Sequence, residues 1–387
     1  MNKNLKLMYI IAFLQGLVFY APVSLIYRIE RGLSVSEFFF LEFVLLLTTV
    51  ITEVLWGYFA DKYGYKITLI IGFTLFFLGR LSLLFCDSFI DFFIQTELIA
   101  LGVSGISGCD IAFLYKNCDE SDNEKVFGRY RTYGSIGFFI SSILSIFILK
   151  VSMELTVFMT AIAYGMSIIF MCFTEEAEKE YKNIKENIKI KDSFRDIKSI
   201  KFIILFVIST AIISEIGYGI SITLGQLHFE SIGFDIRLLG YITALSEIMS
   251  MLSSKTYILS KKYGQRNTLK GLTIGIILCV GVLILTNSII LSIVSIAFIS
   301  GFVSMINPIV LDIQNKSISK NRATILSFYS MVGSIFSAFI NIGIGFLADI
   351  YLKYTFMFCF LVLGIGAFGI FTYLNKQQNL ESKKIYN

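Results

Sequence analysis

Long apolar runs alternate with short polar stretches along the whole of this 387-residue chain. Each run is about as long as the ~20 residues that an α-helix needs to cross a bilayer. Some polar stretches are very short, such as residues 87–89, so consecutive helices are expected to be antiparallel. The pattern predicts twelve membrane-spanning helices, at residues 5–27, 37–60, 67–86, 91–115, 129–149, 155–173, 202–226, 238–260, 267–286, 289–313, 323–348 and 355–374.

The composition supports a membrane protein. Hydrophobic residues make up 56% of the chain and charged residues only 16%, whereas soluble domains average about 25% charged residues. A soluble core cannot bury this much apolar surface, but a bilayer can cover it. We therefore expect a multi-pass protein of the cell membrane with an all-α fold.

Residues suited to metal or covalent chemistry are scarce. The chain has one histidine, His228, and six scattered cysteines without a Cys-X-X-Cys motif, so neither a zinc site nor a disulfide framework is indicated. The sequence shows no nucleophile–base arrangement and no phosphate-binding loop. It therefore predicts that the protein is not an enzyme, needs no cofactor or metal, and is not driven by ATP.

The distribution of basic residues predicts the orientation in the membrane. The termini and the loops on one side of the predicted spans carry the great majority of the 33 lysine and arginine residues. The opposite loops hold only Arg28, Arg31, Lys150, Arg237 and Lys353. Because basic residues are retained on the inner side, both termini are expected to be cytoplasmic. The net charge of +5 reflects this bias and does not indicate binding to nucleic acid.

One long polar stretch divides the chain into two sets of six spans. We predict an N-terminal half at 1–173, a cytoplasmic linker at 174–201, a C-terminal half at 202–374 and a cytoplasmic tail at 375–387. Tyr181, Ile184 and Ile188 follow helical spacing in the linker, which favours a helix lying on the inner leaflet. A solvated linker is the equally weighted alternative.

An internal repeat relates the two halves. The turn between spans 2 and 3 contains Lys62-Tyr63-Gly64, and the turn between spans 8 and 9 contains Lys262-Tyr263-Gly264, 200 positions later. A repeat of this kind is the trace of a parallel duplication of a six-helix unit. The two halves are therefore expected to be pseudo-symmetric.

At this turn the chain resembles the major facilitator superfamily. The signature of that family in the same loop is Gly, three residues, Asp, a basic residue, any residue, Gly, any residue and a second basic residue. The resemblance implies the major facilitator fold of twelve helices in two halves. The residues that match the signature in register are Gly57, Asp61, Lys62, Gly64 and Lys66.

The resemblance also implies a cytoplasmic gate at this turn. Asp61 would accept hydrogen bonds at the N-terminus of span 11, near Ala323, where the helix dipole favours an anion. Lys62 and Lys66 would stay at the anionic inner surface of the membrane. A turn that only marks topology is the alternative to such a gate.

Two further segments bear on the kind of transporter. In span 4, Ser107-Gly108-Cys109-Asp110 resembles the Ser-Gly-X-Asp of bacterial drug-efflux-type members of the superfamily, and residues 53–61 resemble their Glu-X-Pro-X-Gly-X-X-Ala-Asp with Leu55 in place of the proline. Span 5 retains Gly134 and Gly137 but lacks the proline of the antiporter signature, which leaves the direction of transport open.

Ionisable residues inside a membrane are costly and therefore mark candidate sites. Arg80 in span 3 and Glu97 in span 4 fall at matching depth, so we predict that they form a structural ion pair. The acids inside the predicted spans are Glu42, Glu53, Glu97, Asp110, Glu215 and Glu247.

Four of these acids are candidates for proton or substrate handling, because a buried carboxyl group without a cation partner favours its protonated form. Glu53 and Asp110 fall in the cytoplasmic half of spans 2 and 4, and Glu215 and Glu247 fall near the middle of spans 7 and 8. The alternative for Glu53 and Asp110 is a hydrogen bond that only holds the helices together.

Uncharged polar residues in the spans are further candidates for a substrate cavity. Gln15 falls in the middle of span 1, and Asn307 directly precedes Pro308 in span 10, where a proline is expected to kink the helix. Tyr218, Tyr329 and Asn341 are additional candidates. For each of them, packing or a helix–helix hydrogen bond is the alternative.

These observations predict a secondary transporter that works by alternating access. We expect proton-coupled export of a small amphipathic compound, cationic or neutral. Proton-coupled uptake of a small nutrient is the first alternative, and a non-transporting membrane sensor with a transporter fold is the second. The expected partners are the substrate, protons and the lipid bilayer, and a monomer is expected.

Overall fold

The computed structural model describes residues 3–118, 123–176, 197–318 and 322–385. The regular elements in these ranges are helices, which confirms the predicted all-α class. The α-helices are α1 Lys3–Gly16, α2 Ser24–Glu30, α3 Val35–Tyr63, α4 Tyr65–Ser82, α5 Phe89–Ile106, α6 Cys109–Lys116, α7 Asn123–Ile148, α8 Met153–Cys172, α9 Ile197–Tyr218, α10 Gly225–Ser231, α11 Leu239–Met251, α12 Thr256–Tyr263, α13 Gln265–Leu285, α14 Ile289–Ser317, α15 Arg322–Ile350 and α16 Leu352–Ile385.

Eleven helical stretches among the described residues are long and apolar enough to cross a membrane. They correspond to eleven of the twelve predicted spans. The remaining predicted span, 238–260, is divided into α11, a 3₁₀ segment at Leu252–Lys255 and α12. The hydroxyl of Ser254 donates to the carbonyl of Met251 there, which offers the backbone an alternative to the regular helical ladder.

Three further predicted spans are interrupted where a single continuous helix was expected. Span 1 breaks between α1 and α2, around the 3₁₀ turn Ala21–Val23 with Pro22 in its first positions, because proline has no N–H to continue a helix. Span 4 breaks between α5 and α6 at Gly108, whose φ is +77°. Span 7 contains a π-helix at Gly219–Leu224, a rare form that is frequent at functional sites.

The chain divides into two compact units. Unit 1 comprises Met1–Asn183 and Asp235–Ala244, and unit 2 comprises Ile184–Phe234 and Leu245–Asn387. The predicted surface helix around Tyr181 lies outside the described residues. The predicted boundaries of the two halves remain a prediction.

Unit 1 is built from closely packed helix pairs. Helix α5 packs on α3 and α4, while α1 packs on α7 and α8. Met8, Phe73, Phe113 and Met171 meet in a buried apolar cluster that joins these layers. Gly137 of α7 approaches α1 so closely that a Cβ atom at this position would collide with the carbonyl oxygen of Phe13.

Unit 2 is assembled in a similar way. Helix α13 packs on α14 and α16, and α9 packs on α15 and α16. Helix α14 continues through Pro308 as one element, Ile289–Ser317. The predicted kink at this proline therefore does not divide the helix.

The two turns of the repeat share a local structure. Gly64 and Gly264 both have positive φ angles, +105° and +81°, and each ends one helix and begins the next. The hydroxyl of Thr68 donates to the carbonyl of Gly64 at 2.8 Å, and that of Thr268 to the carbonyl of Gly264 at 2.9 Å. The repeat seen in the sequence therefore extends at least one helical turn beyond the glycine.

Candidate functional site

The signature turn joins α3 to α4 in unit 1. Gly64 needs its positive φ angle to reverse the chain, which glycine adopts at no steric cost. Asp61 is exposed, and the ammonium group of Lys62 lies 5.0 Å from the ring centre of Tyr63. Nothing lies within 4 Å of a Cβ atom built on Gly57. The role of these residues as a gate stays a prediction.

Lys66 has a different environment from Lys62. Its ammonium group donates to the carbonyl oxygens of Cys172 and Thr174, at 3.0 and 2.5 Å. These carbonyls end α8, where the helix dipole favours a cation. The backbone N–H of Lys66, at the start of α4, donates in turn to the carboxylate of Glu176 at 3.1 Å. The second basic residue of the signature therefore fastens α4 to the end of α8 within unit 1.

Asn4 strengthens the same region, although nothing in the sequence pattern singled it out. Its side-chain amide donates to the side-chain oxygen of Asn117 at 2.6 Å and to the carbonyl of Glu175 at 2.9 Å, and its own oxygen accepts from the N–H of Glu175. Lys3 adds an exposed salt bridge of 3.2 Å to the carboxylate of Glu175. The ends of α1, α6 and α8 are thus tied together.

Asp110 lies at the break in span 4. Gly108 precedes α6, so Asp110 sits in the first turn of that helix, where the dipole stabilises a carboxylate. One carboxylate oxygen accepts from the N–H of Ile111 at 2.7 Å, and the other accepts from the hydroxyl of Tyr130 at 3.2 Å. Arg131 is close enough to act on Asp110 electrostatically. The Ser-Gly-X-Asp sequence thus creates a helix start that presents a half-buried acid to α7.

Glu53 has a different position from Asp110. It lies on α3 one turn before Gly57 and is exposed on unit 1. Among the described residues it makes no hydrogen bond and no ion pair. The neighbouring Thr52 joins α3 to α5 by donating to the hydroxyl of Ser104 at 2.8 Å. The structure therefore gives Glu53 and Asp110 no shared partner, and a joint role for them stays a prediction.

Arg80 lies in an aromatic environment. Its guanidinium group contacts the hydroxyl of Tyr20 and lies 4.8–5.7 Å from the ring centres of Tyr20, Phe76 and Tyr164. Glu97 accepts a hydrogen bond of 3.1 Å from the hydroxyl of Thr48. The contacts described for Arg80 and for Glu97 are with other residues. The ion pair between them stays a prediction.

Arg28 is a buried cation that the sequence analysis placed in an outer loop. It is only 8% exposed, lies 5.4 Å from the ring centre of Phe38, and donates to the carbonyl of Ser24. It is close enough to Glu42 for electrostatic attraction. The sequence missed it because the helical stretch that begins at Lys3 runs on to Glu30, beyond the predicted end of span 1 at residue 27.

Glu215 is the best-defined acid of unit 2. The side-chain amide of Asn341 donates to its carboxylate at 2.9 Å, and the hydroxyl of Ser337 also hydrogen-bonds to it. Asn341 and Ser337 are 3% and 5% exposed, so the partners of this acid are buried. Glu215 lies just before the π-helix of span 7. Asn341, which the sequence offered only as a further candidate, is thereby placed beside an acid.

The other candidates in the two units are less clearly organised. Glu247 is half-buried on α11, a helix that contacts α14 through the hydroxyls of Ser250 and Ser304 at 2.7 Å. Asn307 is exposed on α14. The side-chain N–H₂ group of Gln15 is buried and has no hydrogen-bond partner in the described part of the chain. A role for these three residues in a site shared with Glu215 or Asp110 stays a prediction.

The described residues contain no group of three or more histidine, cysteine, aspartate or glutamate side chains that could hold a metal ion. The half-buried polar groups at Asp110 and Glu215 are carboxylates held by uncharged donors. Such an arrangement can take up and release a proton, or bind a polar group of a solute.

The profile of the Major Facilitator Superfamily matches residues 7–341, and no curated protein sequence matches the chain significantly. Among solved structures, a mutant form of the nucleoside transporter NupG has a TM-score of 0.82 at 15% identity, covering 95% of this chain and 99% of that one. The POT family transporter PepTSo has a TM-score of 0.77 at 13% identity, covering 99% of both chains. A D-xylose–proton symporter has a TM-score of 0.73 at 15% identity, covering 96% and 97%.

Proposed function

Since the chain belongs to the major facilitator superfamily, we propose that it is a secondary active transporter, which carries a small molecule across the cell membrane by alternating access and is driven by a proton gradient. Both termini lie on the cytoplasmic side in this proposal, and the basic loops support that orientation. The protein works without a cofactor and is not an enzyme.

One observation carries the proposal of proton coupling. Each unit contains a half-buried carboxylate that takes its hydrogen bonds from uncharged donors: Asp110 from Tyr130 and the backbone, and Glu215 from Asn341 and Ser337. A buried carboxyl group held in this way exchanges a proton more readily than one locked in an ion pair. Both acids lie at interruptions of a span, at the start of α6 and beside the π-helix.

The direction of transport has two candidates, each favoured by a different observation. The Ser-Gly-X-Asp sequence, which builds the break at Gly108, favours export of a small amphipathic compound that is cationic or neutral. The transporters of similar structure include ones named for nucleosides, for peptides and for D-xylose with protons. They favour uptake of a small polar nutrient. The carboxylates suit either a cationic or a hydroxyl-bearing solute.

Reconstitution in liposomes tests both candidates. The protein would be inserted with an imposed pH gradient and a trapped pH-sensitive dye, and nucleosides, sugars, short peptides and cationic drugs would be added in turn. A proton flux that requires one solute identifies the substrate, and the sign of its coupling to the gradient gives the direction. Binding of a solute without any flux would support a sensor and contradict the transporter.

A further inference from the structure

A cavity of about 650 Å³ opens at the end of unit 2 that lies opposite the Gly264 turn. It is formed by the C-terminal ends of α10 and α13, the loop before α14 and the first turn of α16. On the orientation proposed above, this end faces the outside of the cell. The cavity lies apart from Glu215 and from every residue assigned a role in transport.

The charge of the cavity is positive. Lys353 is the charged residue in its lining, and no aspartate or glutamate among the described residues lines it. Asn287 and Tyr351 add an amide and a hydroxyl group. Because α16 begins at Leu352, the first residues of this long helix form part of the wall, and the helix dipole favours an anion at this end.

His228 contributes a fixed polar group to the wall. It is only 5% exposed, its Nε2 is 2.8 Å from the hydroxyl of Ser292, and its ring packs edge-on against Phe356 at 5.5 Å. The other ring nitrogen has no hydrogen-bond partner among the described residues. The structure thus buries the one histidine of the chain beside the cavity.

The size and the remaining lining restrict the ligand further. Leu283, Leu352 and Phe356 give the cavity an apolar side. A bare inorganic anion would fill a small part of a volume that is typical of sites for organic molecules. The ligand is therefore expected to join an anionic group to a less polar body.

The repeat provides an internal comparison. The position that corresponds to Asn287 in unit 1, 200 residues earlier, is Asp87, and its carboxylate forms a salt bridge of 3.3 Å with Arg31. In unit 1 the corresponding position thus carries an acid that is paired with a cation. In unit 2 an uncharged amide takes the place of the acid.

We propose that this cavity is a binding site for a phosphate ester, whose phosphate group lies against Lys353, Asn287 and the start of α16. The phosphate belongs either to the headgroup of an anionic membrane lipid or to a free organic phosphate. Lysine binds a phosphate as a point charge, and the apolar side of the cavity holds the glycerol or acyl part of such a ligand.

Thermal unfolding of the purified protein in a non-ionic detergent tests the site. Four probes would be titrated: dihexanoyl-phosphatidylglycerol, dihexanoyl-phosphatidylcholine, glycerol 3-phosphate and inorganic phosphate. The proposal expects a saturable rise in the unfolding temperature with at least one anionic probe and a smaller rise with the zwitterionic lipid. A response to phosphatidylglycerol alone indicates a lipid headgroup, whereas a response to glycerol 3-phosphate or phosphate indicates a free anion.

Three variants make the test specific. Lys353→Gln removes the charge, and Asn287→Asp introduces the acid of the other unit at nearly constant shape. Each should weaken the apparent affinity by about tenfold or more. The control is Lys150→Gln, a lysine predicted on the same side of the membrane that lies over the ring of Phe147. A response that is absent in the wild type, or equally strong in Lys353→Gln, overturns the proposal. The readout needs no transport, so its failure leaves the proposed transport function untouched.

Discussion

The side-chain amide of Asn341 donates a hydrogen bond of 2.9 Å to the carboxylate of Glu215 and so joins α15 to α9. The two residues are 126 positions apart, and only the folded chain brings them together. Glu215 also accepts from Ser337, one helical turn before Asn341 on the same face of α15. The acid of unit 2 is therefore held by one helix that presents two donors to it.

The first prediction separates the charge of Glu215 from its hydrogen bond. In Glu215→Gln, the amide oxygen still accepts from Asn341, so the unfolding temperature should stay near that of the wild type, while gradient-driven transport should fall by about tenfold or more. In Asn341→Leu, the carboxylate loses a buried donor, which should cost about 1–3 kcal/mol of stability. Wild-type transport by Glu215→Gln would show that this acid is only structural.

The second prediction concerns the close contact between α7 and α1. A Cβ atom at Gly137 would collide with the carbonyl oxygen of Phe13, so Gly137→Ala should destabilise unit 1 by about 1–3 kcal/mol. Gly128→Ala is the matched control on the same helix, because nothing lies within 4 Å of its Cβ position. There the better helix propensity of alanine should be neutral or slightly stabilising. Equal unfolding temperatures of the two variants would contradict the packing described here.

The third prediction concerns the cap that the side chain of Lys66 forms at the C-terminal end of α8. Lys66→Met removes the cation from the carbonyls of Cys172 and Thr174, which should cost about 0.3–1 kcal/mol. Hydrogen exchange of the backbone amides at residues 170–174 should become faster. The control is Lys262→Met at the equivalent turn of unit 2, where the lysine lies over the ring of Tyr263. Unchanged exchange in Lys66→Met would show that the cap contributes nothing.

The fourth prediction tests the gate proposed at Asp61. Asp61→Asn keeps the shape of the side chain but removes the charge that would face a helix N-terminus. Transport should become slower, whereas the affinity for substrate, measured by equilibrium binding, should stay within about twofold. A wild-type transport rate in this variant would leave the turn only a topological role.

The sequence predicted the elements of the fold well, because an apolar run of spanning length has few structural alternatives. The chain reversal at Gly64 was also predicted, because the glycines and charged residues that mark it lie close together in the sequence. The breaks in spans 1, 4, 7 and 8 were not predicted. Gly108 is compatible with a continuous helix as well as with a break, and the surrounding helices decide between them. A run of apolar residues therefore predicts that a span exists but not that it is one helix.

The sequence predicted the acidic residues of the candidate site but not the residues that hydrogen-bond to them. The cost of a charge in a membrane singled out Asp110 and Glu215 from the sequence. Tyr130 and Ser337 carry no such signal, because tyrosine and serine are common in membrane helices as packing residues. The hydrogen bonds between Asn4 and Glu175 were not predicted for the same reason. Long-range hydrogen bonds leave no periodic pattern along a chain.

The last prediction concerns the proton at Asp110. Asp110→Asn keeps an acceptor for the hydroxyl of Tyr130 but can no longer take up a proton, so gradient-driven transport should be lost while solute exchange without a gradient is retained. Tyr130→Phe is the complementary variant: it removes the hydrogen bond of 3.2 Å and leaves the acid. Because that bond stabilises the charged form, its loss should move the pH dependence of transport towards higher pH without abolishing transport.

Glu53→Gln serves as the comparison on α3, where the acid is exposed and has no partner among the described residues. If Asp110→Asn and Tyr130→Phe both unfold, the structural alternative is supported, in which the acid holds α6 to α7. If both keep wild-type gradient-driven flux, Glu215 becomes the remaining well-defined candidate for the coupled proton.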